Sequence, residues 1–202
     1  MKALKTAWAC AALLTTGMTQ AQAQEEAQTL FGSIESQGFM VAPSFAASTF
    51  DEAGASLFDL RGGLVLNDLF TLGGFYQLSL NEMVPASEAL PNIYLDYRAG
   101  GLLLEFTPWS GRLVHLSVPV AIGACELEMD SEYLDALALG EANTWVAQPG
   151  LLLELNLHKF ARLNLGASYR LVGDVVYRGL GQEQVNGLVG QVGLKFGWFR
   201  AR

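Results

Sequence analysis

The chain has 202 residues, 51% of them hydrophobic, yet it carries 20 acidic against 12 basic residues for a formal net charge of -8. That balance argues against a nucleic-acid partner, which needs a basic face. Beyond the first residues no apolar run reaches the ~18 residues that a membrane-spanning helix requires, so helical spanning is excluded as well.

The N-terminus carries a compartment signal. Lys2 and Lys5 form a positive region, Ala7 to Leu14 an apolar core, and Ala21-Gln22-Ala23 a small-x-small cleavage site. This pattern reads as a secretory signal peptide over 1–23. Cys10 lies inside the apolar core behind Trp8, which argues against a lipoprotein reading. The mature part, 24–202, is then one domain with Cys125 as its single cysteine, so no intramolecular disulfide framework is possible.

What recurs along the mature chain is a series of segments with period-two patterning, rich in Leu, Val, Tyr and Gly. Such alternation reads as half-buried strands. In chain order they span 30–43, 57–67, 69–80, 93–106, 112–127, 142–157, 160–174 and 186–199. Each is long enough to cross a bilayer core, which takes about 9–11 tilted residues. The connections are read as alternately long and short. Asn67-Asp68, Pro108-Trp109-Ser110-Gly111 and His158-Lys159 are the expected tight turns. Segments 44–56, 81–92, 130–141 and 175–185 are the expected long loops. Outer-membrane barrels place short turns in the periplasm and long loops outside. The expectation is an all-β, eight-stranded antiparallel up-and-down barrel with both termini periplasmic.

The two faces of each strand separate a membrane barrel from a soluble sandwich. On the seventh segment Leu163, Leu165, Ala167, Tyr169 and Leu171 share one face, and Arg162, Asn164, Gly166, Ser168 and Arg170 the other. The polar faces together hold Glu35, Asp59, Glu105 and Glu154 against Arg61, Arg162, Arg170 and Lys195. A balanced set converging on one interior can pair and offset its desolvation. His115 is read as joining that cluster beside Glu105 and Glu154. Gly63, Gly73, Gly123 and Gly193 also fall on the inner face, where a barrel of eight strands has little room. Phe70, Phe106, Trp109, Phe160, Phe196 and Trp198 lie near the turn ends, as a periplasmic aromatic girdle would.

The C-terminal run from Gln191 through Gly193 and Phe196 to Trp198 resembles the β-signal of outer-membrane barrels, polar-x-Gly-x-x-aromatic-x-aromatic, although residues 199–202 trail it. With the strand count and loop alternation, the chain resembles small barrels of the OmpX and OmpA-transmembrane-domain type. The resemblance implies recognition by the barrel-assembly machinery and contact with outer-membrane lipid and lipopolysaccharide.

Fold alone names no activity. Chemistry could be carried by His115 and Ser117 with Glu126 and Glu128 further along the same strand, an order similar to that of outer-membrane lipid A deacylases, in which imidazole activates a hydroxyl. Against it, His115 follows a periplasmic turn, whereas that substrate lies in the outer leaflet. Cys125 has no basic sequence neighbour to lower its pKa and is read as a small buried residue. No cofactor or metal motif is present. The loops hold Asp51, Glu52, Glu82, Glu88, Asp130, Glu132, Asp135, Glu141 and Glu183 against Arg178, so a negative outer rim is expected, able to attract divalent cations or a basic partner. The expected role is non-enzymatic, structural or surface-interacting, with a lipid-modifying hydrolase and a narrow gated pore as alternatives.

Overall fold

The computed structural model describes residues 34, 36–88, 92–131 and 139–199. The signal-peptide region, Glu35, Glu132 and Asp135 lie outside them. Strands β1 (Gln37–Phe50), β2 (Ala53–Leu66), β3 (Phe70–Ser79), β4 (Ile93–Phe106), β5 (Val114–Ser131), β6 (Glu141–His158) and β7 (Ala161–Val172) follow one another. After β7 come the two-residue strands β8 (Val176–Tyr177) and β9 (Leu180–Gly181), the helical turn α1 (Gln182–Val185), and β10 (Gly187–Gly197). Seven strands and β10 pair antiparallel with their chain neighbours, and β10 pairs with β1 to close an eight-stranded barrel. Closure leaves no sheet edge unpaired, the condition for strands to cross lipid.

Several boundaries differ from the sequence reading, β5 for example reaching Ser131 where 127 was expected. Among the described residues the first strand runs over Gln37–Phe50, past the end expected at 43, and the loop expected at 44–56 is strand on both sides of a two-residue turn, Asp51-Glu52; residues 30–33 and 35 of the expected strand lie outside the described residues. Both turn residues have positive φ, 44° and 67°, the conformation of the hairpin turn whose twist matches its flanking strands. The inner positions Ala42, Ser44 and Ala46 are small, buried and continue the period-two pattern, so low hydrophobicity disguised a real strand. The third tight turn is Lys159-Phe160, one residue later than expected, beyond a register shift between Asn156 and His158. The barrel therefore has a turn end, carrying connections 67–69, 107–113 and 159–160, and a loop end, carrying 80–92, 132–140, 173–186 and the short Asp51-Glu52 turn. β1 starts and β10 finishes at the turn end.

The outside of the barrel is apolar over a continuous band. Leu102, Leu64, Leu165 and Leu188 are each more than half exposed, in positions a soluble barrel would give to polar residues. Aromatic rows border the band. At the turn end Phe39 stacks on Trp198 (4.9 Å) and Phe70 on Phe106 (5.1 Å). At the loop end Tyr76 and Trp145 are linked by register across the sheet through Gly100 and Ala124. One step beyond that row the outer face turns polar, with Arg98, Glu126 and Asn143 in register. β5 and β6 have 18 residues each, more than a crossing needs, and their polar ends extend past the band.

Two close approaches fix the glycines. A Cβ on Gly63 would lie 2.6 Å from the Leu72 carbonyl oxygen and 2.8 Å from the Cα of its register partner Gly73. Gly101 and Gly123 face each other in the same way on β4 and β5.

Candidate functional site

The interior is layered along the barrel axis. Nearest the turn end is an ionic cluster centred on Glu154 of β6. Its carboxylate accepts from His115 Nε2 at 3.1 Å, from Arg162 Nη1 at 3.4 Å, and from Lys195 Nζ. Lys195 also donates to Glu105 at 2.6 Å. Strand parity brings these side chains together. His115 lies directly across from Glu154, and Arg162 directly across from Lys195. Thr107 Oγ1 joins the cluster by donating to Glu105 at 3.3 Å, with Ser117 Oγ 3.3 Å away from it.

A second layer lies at mid-barrel. Arg61 Nε stands 2.9 Å from Asp59 Oδ1, while its Nη2 donates to Gln191 at 2.7 Å and Gln77 donates to Asp59 at 3.2 Å. On the far wall Gln148 donates to Ser168 at 2.7 Å. Among the described residues the buried interior holds Asp59, Glu105 and Glu154 against Arg61, Arg162, Arg170 and Lys195. The expected balance of four against four relied on Glu35, outside these residues.

The third layer, at the loop end, corrects the expectation of a polar lumen throughout. Leu57, Leu95, Tyr97, Leu127, Val146 and Val172 fill it and are fully buried. Met83, Val175, Leu180 and Val185 from the loops close over them. Arg170 sits in this apolar layer, away from the ionic cluster. Its guanidinium stacks on Phe50 at 3.6 Å and donates to the carbonyls of Val185 and Thr49, each at 2.8 Å. It thereby ties α1 and the end of β1 to the barrel wall. Charge-assisted bonds of this kind are stronger than neutral ones.

The loop acids divide by what they hold. Asp51 accepts from the Ser87 amide at 2.6 Å and Glu88 accepts from Arg178 at 3.0 Å, joining separate loops. Tyr177 accepts from the Met129 amide at 3.3 Å and donates toward the carbonyls of Leu139, at 3.0 Å, and Gly140. Burial holds its phenol pKa above the ordinary value. Glu52 lies in the β1–β2 turn, Glu82 in the 80–92 loop, Asp130 near the end of β5, Glu141 at the start of β6 and Glu183 on α1. Asp96 and Glu128, cross-strand partners on the outer wall, extend the same acidic surface, Glu128 accepting from Arg98 at 3.3 Å; Asp96 was not singled out from sequence, and Glu128 only as a candidate beside Glu126. The parity of β4 and β5 beyond the aromatic row was the signal for them.

The proposed catalytic set does not assemble. Glu126 points out of the barrel while His115 and Ser117 point in. Both imidazole nitrogens of His115 are engaged, Nδ1 with the Arg112 carbonyl at 3.1 Å and Nε2 with Glu154, so neither faces a substrate. Cys125 is buried on the inner wall. No cluster of three or more His, Cys, Asp or Glu suited to a metal occurs among the described residues. Of the C-terminal signal residues, Gln191 is buried in the lumen, Gly193 packs against Ser44, and Phe196 and Trp198 are exposed in the turn-end aromatic row. Phe199 follows them and turns back over Arg162, 3.7 Å from ring centre to guanidinium.

No protein-family model matches the chain, and no curated protein matches it at significant similarity. Its architecture is similar to that of solved structures. Neisserial surface protein A superposes with a TM-score of 0.60 at 11% identity, over 79% of this chain and 96% of that one. The N-terminal barrel domain of OprF and the outer membrane protein OprG, both from Pseudomonas aeruginosa, give 0.49 and 0.48 at 12% and 10% identity. These cover 78% and 81% of this chain and 96% of each of theirs. At such identities the likeness concerns the fold, and the fold is plain: the chain forms a closed eight-stranded antiparallel β-barrel similar in architecture to that of Neisserial surface protein A.

Proposed function

We propose that this barrel resides in the outer membrane and serves there as a non-enzymatic structural or surface-interacting protein. The observation that carries the reading is the inverted surface. An apolar band bordered by aromatics faces outward, while Glu105, Glu154, Arg162 and Lys195 are buried inside. A soluble barrel would reverse that arrangement. Its turn end lies in the periplasm and its loop end outside, by the usual asymmetry of such barrels.

The layered filling speaks against transport. Ionic, amide and apolar layers occupy the lumen in succession, as expected where eight strands enclose only enough space for side chains. The acidic outer end, with Glu52, Glu128 and Glu183, supports interaction with basic partners or with divalent cations that bridge to lipopolysaccharide phosphates. The exposed Phe196 and Trp198 support recognition by the barrel-assembly machinery during insertion.

The test is threefold on one preparation. In planar bilayers the protein conducts no discrete current. Cells expressing it or its His115→Ala variant have identical lipid A masses. Charge reversal of Glu52, Glu128 and Glu183 together alters the sensitivity of the cells to divalent-cation chelation. A His115-dependent loss of an acyl chain from lipid A would replace this reading with a hydrolase, and steady conductance would replace it with a pore.

A further inference from the structure

At the turn end an apolar groove of about 690 Å³ runs along the outer wall beside the closing seam, between Phe39 and Val41 of β1, Phe196 and Trp198, and Phe160. A second pocket of about 420 Å³ adjoins it, of mixed lining, with Leu113 beside the polar Ser110, Asn156, His158 and Arg162. Lys159 and Phe199 line both cavities, so the two form one amphipathic site. Its apolar arm lies on the aromatic row at the edge of the lipid-facing band. Its polar arm carries cations.

Arg162 makes this more than a surface feature. It is buried to 5% exposure, lines the second pocket, and its Nε has no hydrogen-bond partner among the described residues. Its Nη1 is bound to Glu154, and its face is covered by Phe199. A buried donor left unpaired is costly, and Arg162 lines the pocket from which an anionic oxygen would approach its guanidinium. Lys159, exposed on the rim, adds positive charge beside it.

We infer that this site binds one anionic glycerophospholipid of the inner leaflet, with an acyl chain along Phe39, Phe160 and Trp198 and the phosphate at Lys159 and Arg162. The inference rests on the outer-membrane reading above. It selects phospholipid over lipopolysaccharide because the site lies at the turn end, away from the acidic loop end, and because its polar arm adjoins an acyl-sized apolar groove.

The test uses tryptophan quenching in phosphatidylethanolamine vesicles doped with bromine-labelled phosphatidylglycerol or bromine-labelled phosphatidylcholine. One form of the protein keeps Trp198 alone, through Trp8→Phe, Trp109→Phe and Trp145→Phe. A second keeps Trp145 alone, at the opposite end of the band. The expected result is stronger quenching of Trp198 by the anionic lipid, with a preference of about fivefold for each cation engaged. Lys159→Gln lowers that preference about fivefold, and Trp145 shows none. Equal quenching of Trp198 by both lipids, with Trp145 also quenched, would overturn the lipid site while leaving the barrel in its membrane. Quenching of neither tryptophan would overturn the membrane reading and the site with it.

Discussion

Glu154 shows how a buried charge is retained in so small a barrel. Its carboxylate meets Lys195, Arg162 and His115 at once, and Lys195 is shared with Glu105. Removing one member leaves its partners desolvated and unpaired, which in buried pairs costs about 3–5 kcal/mol. Lys195→Met, followed by urea unfolding in lipid vesicles, is expected to lose that much stability. The double variant Lys195→Met with Glu154→Gln is expected to recover part of the loss, since the two are directly coupled. Full additivity of the two changes would show that the cluster is not a unit. At Gly63 the constraint is steric: an added methyl meets backbone at 2.6 Å. Gly63→Ala is expected to cost about 1–3 kcal/mol as overpacking does, read in the same unfolding assay. Strand parity alone places Asp59, Arg61, Glu105, His115, Arg162 and Lys195 on the inner wall, where they are found. Apart from His115, read beside Glu105 and Glu154 and bonded to Glu154, their partners were not legible, because which strand levels meet across the lumen depends on barrel tilt and stagger and on no local pattern. Arg170 illustrates this, having the parity of the ionic cluster but the height of the apolar layer.

Among the elements, most strands were readable because an apolar outer wall and a filled lumen impose strict alternation. The failure at β1 and β2 has a physical cause. Small residues satisfy the lumen at Ala42, Ser44 and Ala46, and Asp51-Glu52 lacks the glycine or asparagine that marks a tight hairpin turn. Glu52 holds φ of 67°, a conformation that costs a side-chain-bearing residue about 1–2 kcal/mol. Glu52→Gly relieves that strain but adds about 0.4–1 kcal/mol of unfolded-chain entropy. The net expectation is a gain of about 0.5–1 kcal/mol by urea titration. A loss would mean that the Glu52 side chain makes a stabilising contact that outweighs its strained backbone. The closed loop end was beyond sequence reading for a related reason. Met83, Val175, Leu180 and Val185 lie in connections without periodicity, and their burial is set by the barrel mouth they cover.

For the molecule as a whole, the two surfaces carry the account. The outer apolar band and the inner charged layers are opposite faces of the same strands, so one error of parity would exchange them. The ends differ in the same sense. The turn end offers cations beside an apolar groove, and the loop end offers acids over an apolar plug. The measurement that tests this most directly compares boiled with unboiled migration in SDS gels, alongside far-UV circular dichroism, for protein extracted from membranes in mild detergent. A β spectrum with a band that shifts on boiling is the predicted result, because closed membrane barrels resist the detergent until heated. A protein that instead remains monomeric and folded in plain buffer, with no band shift, would contradict the lipid-facing assignment of Leu64, Leu102, Leu165 and Leu188.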